Sequence, residues 1–232
     1  MSSVNSQLTD MIKRVAIALG DDLLQRVAFI GGCTTCLLIT DEFSKEEVRF
    51  TDDVDLIIDV LGYAKWVEFQ GQLKSKGFHV SMEDDVSCRM RLGELKVDFM
   101  PIDEKILGFS NRWYAKSLET AKDYLLDDNL TIKLLASPYF IATKLEAYLG
   151  RGNNDPLGSH DLEDILILID GREELVDEIK AADEDVRLYI AEQFAALLQH
   201  EYFDHAVQGF TRSNKEREDL IYKRLQIIRD VD

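Results

Sequence analysis

The sequence predicts an α/β (α+β) N-terminal half, a mixed sheet flanked by helices, followed by an all-helical C-terminal bundle. Three observations predict it. Short apolar or β-branched runs alternate with amphipathic stretches as far as Leu135, helical periodicity takes over from Ser137, and no repeat or low-complexity run interrupts either half. The change of character near Ser137 divides the chain into domains 1–136 and 137–232.

The elements follow in order. LTDMIKRVAIALG puts Leu8, Ile12, Val15 and Leu19 at helical spacing, so the chain opens on an amphipathic helix. VAFI (Val27 to Ile30) is a short apolar run stopped by Gly31 and Gly32, as expected of a buried strand entering a tight turn, and CTTCLLIT begins the next helix. TDDVDLIIDVL suits a central strand, and GYAKWVEFQGQLKSKGF returns as a helix ending near Gly77. In VSCRMRLGELKVDFMPI, Gly93-Glu94 separates two alternating runs and reads as a hairpin turn with glycine first. HVSM before it is extended. A short helix is expected around Asn111 to Lys116 and extended chain from Ala121 to Leu135. Ser137-Pro138 begins a helix that ends at Gly150 or Gly152, and helices follow at 159–170, at 172–199 with a break near Ala182, and at 213–229.

Composition narrows the functional classes. A chain of 232 residues can bury roughly 70% of its unfolded surface, so it needs no disulfide staples. The start lacks the apolar core of a signal peptide, and no window reaches the length of a membrane span, which sets a cytoplasmic, reducing location as the expectation and no membrane partner. With 27 basic and 44 acidic residues the net charge is −17, which disfavours bulk binding to phosphate backbones. A small anionic substrate that travels with Mg²⁺ escapes this argument, because the cation reverses the local sign.

Asp53 and Asp55, two apart in TDDVDL, project from one face of a strand, with Val54 and Leu56 on the other. At about 4 Å and an effective dielectric near 20, like charges repel by about 4 kcal/mol, so the pair calls for a proton or a cation. Asp98 in LKVDFMP is a third strand acid. Three carboxylates on neighbouring strands suit Mg²⁺ or Mn²⁺, and the strand, two glycines and helix start upstream make a phosphate cradle. The bland alternative leaves Asp53 and Asp55 in solvent at a strand end and Asp98 on an edge.

These residues resemble the nucleotidyltransferase superfamily of the DNA polymerase β-like fold, whose pattern is Gly-Gly or Gly-Ser, Asp-x-Asp and a later strand Asp. Here these are Gly31-Gly32, Asp53-Val54-Asp55 and Asp98. Within it, TDDVDL with ATKLEAYLGRG and SHDLEDILILIDGR is similar to the AbiEii/AbiGii-type group, which includes toxins of bacterial toxin–antitoxin systems; the similarity spans residues 27–171. The resemblance implies transfer of a nucleoside monophosphate from an NTP to an acceptor hydroxyl, on RNA or tRNA, on a protein or on a small molecule, with release of pyrophosphate and a cognate antitoxin as partner. Asp53, Asp55 and Asp98 would hold the metals, Asp98 would also accept the hydroxyl proton, and Gly31, Gly32, Cys33 and Thr34 would meet the phosphates. Lys144 and Asp161 match the group's C-terminal Lys and Asp, Lys144 neutralising phosphate charge with Arg151 beside it. Two departures stand out: Cys33 where a hydroxyl is usual, and an insertion at 41–50, expected as an extended loop beside the active site.

Rival readings are a nucleotide-binding protein without turnover, an antibiotic-type adenylyltransferase, and a redox or zinc role for Cys33 and Cys36. The redox role needs a lowered thiol pKa. Zinc needs two more ligands, and Cys88, His79 and His160 are scattered. Ordinary plainer accounts also exist for Lys144 as a surface lysine and for Asp161 as an acid stabilised at a helix N-terminus after Ser159.

Overall fold

The computed structural model describes residues 3–231. By internal packing the chain forms two compact units, Met1–Cys36 with Arg49–Ala136, and Leu37–Val48 with Ser137–Asp232. Among the described residues no helix is long and apolar enough to cross a membrane.

The first unit is mixed α/β. Helix α1 (Val4–Leu24) is capped by the Ser3 side chain, which accepts the Ser6 N–H. It buries the stripe Leu8, Ile12, Val15 and Leu19, and is interrupted at Gly20, φ +66°, before its last turn. Strand β1 (Val27–Ile30) leads into a 3-10 turn at Gly32–Thr34 and helix α2 (Thr35–Leu38). After the segment that carries α3 (Glu42–Lys45) come β2 (Asp53–Ile58) and α4 (Tyr63–Ser75). Strands β3 (Phe78–His79), β4 (Arg89–Leu92) and β5 (Leu95–Pro101) follow. Short helices α5 (Glu104–Leu107) and α6 (Tyr114–Glu119) then precede the hairpin β6 (Lys122–Asp127) and β7 (Leu130–Leu134).

Among the described residues seven strands form one sheet in the order β3-β4-β5-β2-β1-β7-β6. Strands β2 and β5 are parallel, as are β1 and β7, and the other neighbours are antiparallel. The β4–β5 hairpin turns at Gly93-Glu94 with Leu92 opposite Leu95, and Gly93 supplies the φ of +62° that a side chain would resist. Strand β5 lies between β2 and β4, so Asp98 is interior to the sheet and not on an edge.

The two faces of the β2–β5 pair differ. Val54 and Leu56 lie opposite Val97 and Phe99, all fully buried. Helix α4 buries Trp66, Phe69 and Leu73 at helical spacing. Phe99 meets Phe69 and Phe78 edge-on at centroid distances of 6.0 and 5.4 Å, and Trp66 stacks on Phe69. The opposite face carries Asp53, Asp55 and Asp98.

The second unit is helical: α7 (Ser137–Gly150), α8 (His160–Gly171), α9 (Leu175–Lys180), α10 (Glu184–Leu197), α11 (Phe203–Phe210) and α12 (Lys215–Arg229). Helix α11 and helix α5 are additions to the sequence reading; each spans eight residues or fewer, too short for periodicity to declare.

The extended loop expected at 41–50 is corrected. Asp41 caps α3 by accepting the Ser44 N–H at 2.7 Å, and residues 41–48 are part of the helical unit. Thr40 and Asp41 both donate backbone N–H groups to the Gly171 carbonyl at 2.9 Å. The Ser44 hydroxyl donates to Asp170 at 3.0 Å, and Arg217 bridges Asp170 and Glu47. A Cβ at Gly171 would lie 2.6 Å from that of Ser44, so close packing explains why glycine ends α8. The charged run expected as an extended loop forms a network inside its unit.

Phe99→Ala should lower unfolding stability by about 3–5 kcal/mol in urea titrations, because it empties the centre of the aromatic cluster.

Candidate metal and phosphate site

The parallel register of β2 and β5 sets Asp53 opposite Lys96 and Asp55 opposite Asp98. Residues in register share a face and residues two apart share it again, so the three acids converge. One carboxylate oxygen from each of Asp53, Asp55 and Asp98 lies within 4.8 Å of the others. Among the described residues this is the group of acid, histidine or cysteine side chains close enough to hold a metal ion, and no cysteine or histidine belongs to it. The all-oxygen donor set suits a hard cation such as Mg²⁺ or Mn²⁺ better than zinc, which favours nitrogen and sulfur ligands.

Gly31 abuts the acids for a steric reason. Its φ is +77°, and a Cβ there would fall 1.8 Å from Oδ2 of Asp55. Ile30 lies opposite Asp55 across the antiparallel β1–β2 ladder, which brings the turn beside the carboxylates. The glycine is required both by the backbone conformation and by the approach of Asp55.

The next residues depart from expectation. Cys33 and Thr34 were expected to meet a phosphate, but both side chains are fully buried. Cys33 Sγ donates to the Ile30 carbonyl at 3.4 Å and Thr34 Oγ1 to the Gly31 carbonyl at 2.8 Å. Each closes the 3-10 turn internally, which removes its side chain from phosphate contact. The redox reading fails on the same geometry: burial, reinforced by Asp55, pushes the Cys33 thiol well up, opposite to what a reactive cysteine needs. Cys88 is pushed up to about 12 by burial and then by Asp98 and Asp55. None of the three cysteines is in a disulfide.

Arg89, which the sequence reading passed over, completes the site. Its Nε and one terminal nitrogen (Nη2) fork onto the two oxygens of Asp98 at 2.7 and 2.8 Å, and the same Nη2 reaches Asp53 at 3.2 Å. Hydrogen bonding to Asp98 raises the guanidinium pKa, so it is charged throughout the working range. Thr51 Oγ1 donates to the other oxygen of Asp53 at 2.5 Å. Lys96 is drawn away to Asp52 at 2.7 Å. The signal for Arg89 was present in the sequence: a two-residue turn at Gly93-Glu94 pairs 92 with 95, and therefore 89 with 98.

In the second unit Lys144, Asp161 and Arg151 also come together. Lys144, on α7, is only 6% exposed, so it is not the surface lysine of the plainer account. Its Nζ lies 2.9 Å from Asp161 and 2.6 Å from Asp164, a buried acid one helical turn further along α8. Burial pulls the Lys144 pKa down, yet the two acids outweigh it and hold the pKa above its ordinary value. Arg151, 74% exposed along its side chain, forks onto Asp161 at 2.9 Å through both nitrogens. Burial pushes the Asp161 carboxyl up, but Arg151 and Lys144 overcome it and bring its pKa to about 2. Ser159 caps α8 by accepting the Leu162 N–H, with Asp161 in the first turn as the plainer account expected. Asp164 was missed, although its i,i+3 spacing from Asp161 marks one helix face. His160 lies on the surface beside Glu163 at 2.9 Å.

Neither a scan against protein-family models nor a search of curated proteins gives a match for this chain. The chemistry of the residues therefore carries the reading.

Gly31→Ala should cost about 1–3 kcal/mol of stability through the left-handed backbone alone, and should also weaken Mn²⁺ binding by displacing Asp55. Denaturant titration and Mn²⁺ titration of the same samples check both. Asp161 gives a pH test. Its folded pKa of about 2 lies below the ordinary 3.8, so its contribution is complete above pH 4 and disappears as pH falls through 2. Unfolding free energies from pH 7 down to 2 should show this loss in the parent chain and a flatter profile in Asp161→Asn, which at pH 7 should be less stable by about 3 kcal/mol.

Proposed function

We propose that the protein is a metal-dependent nucleotidyltransferase that moves a nucleoside monophosphate from an NTP to an acceptor hydroxyl and releases pyrophosphate. One observation carries this reading: Asp53, Asp55 and Asp98 converge to within 4.8 Å beside a glycine turn that has no room for a side chain. Divalent cations at such a site supply charge neutralisation for the phosphates and a lowered pKa for a coordinated hydroxyl.

The chain's own residues take the remaining roles. Asp53 and Asp55 present carboxylates from one strand face, and Asp98, held rigidly in the interior of the sheet, accepts the hydroxyl proton. The Gly31-Gly32 turn meets phosphate through its backbone, since the Cys33 and Thr34 side chains are turned inward. Lys144 and Asp161 match the C-terminal Lys and Asp of the resembled group, and within their own unit each holds the other in place.

The acceptor proposed is an RNA or a protein, as in a toxin–antitoxin system of the cytoplasm, with a cognate antitoxin as partner. A second reading, nucleotide binding without turnover, draws support from Arg89, which already binds two of the three acids.

Incubating the protein with each α-³²P-labelled NTP, Mg²⁺ or Mn²⁺ and a whole-cell extract tests both. Label should pass into RNA or protein, and Asp53→Ala or Asp98→Asn should lower incorporation by more than about a hundredfold, beyond what the supporting partners of metal ligands are worth. Label in small molecules alone would favour the antibiotic-type adenylyltransferase. No label in any acceptor would favour the binding protein.

A further inference from the structure

Two of the three carboxylates at the site are already engaged by a cation that belongs to the chain. Arg89 uses its planar fork on both oxygens of Asp98, and it spans from β5 to β2 by sharing Nη2 with Asp53. This contact is side-chain chemistry and not a requirement of the hairpin. The turn at Gly93 and the ladder pairs Met90 with Val97 and Leu92 with Leu95 set the register without it. The other arginine of β4, Arg91, is on the same strand face two residues on, yet it is forked onto Asp84 at 2.7 and 2.9 Å.

We propose that Arg89 is an internal counter-cation that competes electrostatically with divalent metal for Asp98 and Asp53, so that metal binding weakens the guanidinium's hold on them. The proposal rests on the reading of the three acids as a divalent-cation site. Its logic is electrostatic. Three carboxylates within 4.8 Å repel one another strongly, and one guanidinium offsets part of that charge while no metal is bound. Each oxygen of Asp98 gives one of its lone pairs to an N–H of Arg89, so a metal there must bind beside the guanidinium's positive charge, and each cation weakens the hold of the other. A divalent ion succeeds where its charge outweighs the fork.

The test reads metal affinity and not turnover. Mn²⁺ is titrated, by electron paramagnetic resonance and calorimetry without nucleotide, into the full chain and into Arg89→Gln, Arg89→Lys, Arg91→Gln and Asp53→Asn. Charge-assisted hydrogen bonds of this kind correspond to about 10- to 100-fold in an equilibrium constant, so Arg89→Gln should bind Mn²⁺ tighter by about that factor. Arg89→Lys, which keeps the charge and loses the fork, should fall between it and the parent. Arg91→Gln removes the same charge from the same strand without touching the acids, and should stay close to the parent. In chelator Arg89→Gln should melt below the parent, and Mn²⁺ should raise its melting temperature by more.

If the parent binds Mn²⁺ and Asp53→Asn does not, while Arg89→Gln binds no tighter than Arg91→Gln, the counter-cation role is overturned and the cation site stands. If no variant and no parent sample binds Mn²⁺, both readings fall together. Should Arg89→Gln not fold, the affinity of Arg89→Lys relative to the parent decides.

Discussion

Carboxylates on neighbouring strands repel, and the first unit is organised around three of them. Placing Asp55 opposite Asp98 with Asp53 two residues away concentrates negative charge on a sheet face whose other side is closed by aromatic packing. The neighbouring residues each answer that constraint. Arg89 brings positive charge to Asp98 and Asp53, and Thr51 donates to Asp53. Gly31 gives Asp55 space that any side chain would fill. Burial, and then the same field, keeps the thiols of Cys33 and Cys88 protonated. Such concentration of charge costs stability, and its persistence in a well-packed sheet is the reason to read it as functional.

The second unit handles buried charge differently. A single ammonium, Lys144, is enclosed by Asp161 and Asp164, and Arg151 adds a second cation on Asp161 from the surface. A parallel arrangement ties in the segment at 37–48: Arg217 lies between Asp170 and Glu47, and Ser44 bonds Asp170. Buried ion pairs add little net stability, because desolvation offsets most of their attraction, but breaking one leaves a charge stranded. Loss of one partner from either network would strand a charge among α3, α7, α8 and α12.

Much of this was legible in the sequence because the signals were local. The helix stripe of α1, the apolar run of β1, the alternation of β2 and the glycine-led turn before β5 depend on residues a few positions apart. Thr34 and Cys33 were misjudged because sequence places them after the glycines without saying which way the 3-10 turn rotates their side chains. The segment 41–50 was misjudged because the long spacing between Gly32 and Asp53 read as an extended loop. Its partners, Asp170 and Arg217, stand far along the chain.

By itself, then, the sequence determined the alternation of strands and helices, the single face shared by Asp53 and Asp55, and the helical character beyond Ser137, since periodicity is set by backbone geometry. Only the tertiary structure decided that β5 lies parallel to β2 in the register that sets Asp98 beside Asp55, and that Arg89 answers them. The reason is that strand order and register come from packing among distant segments, and the carboxylates meet only once that packing is complete.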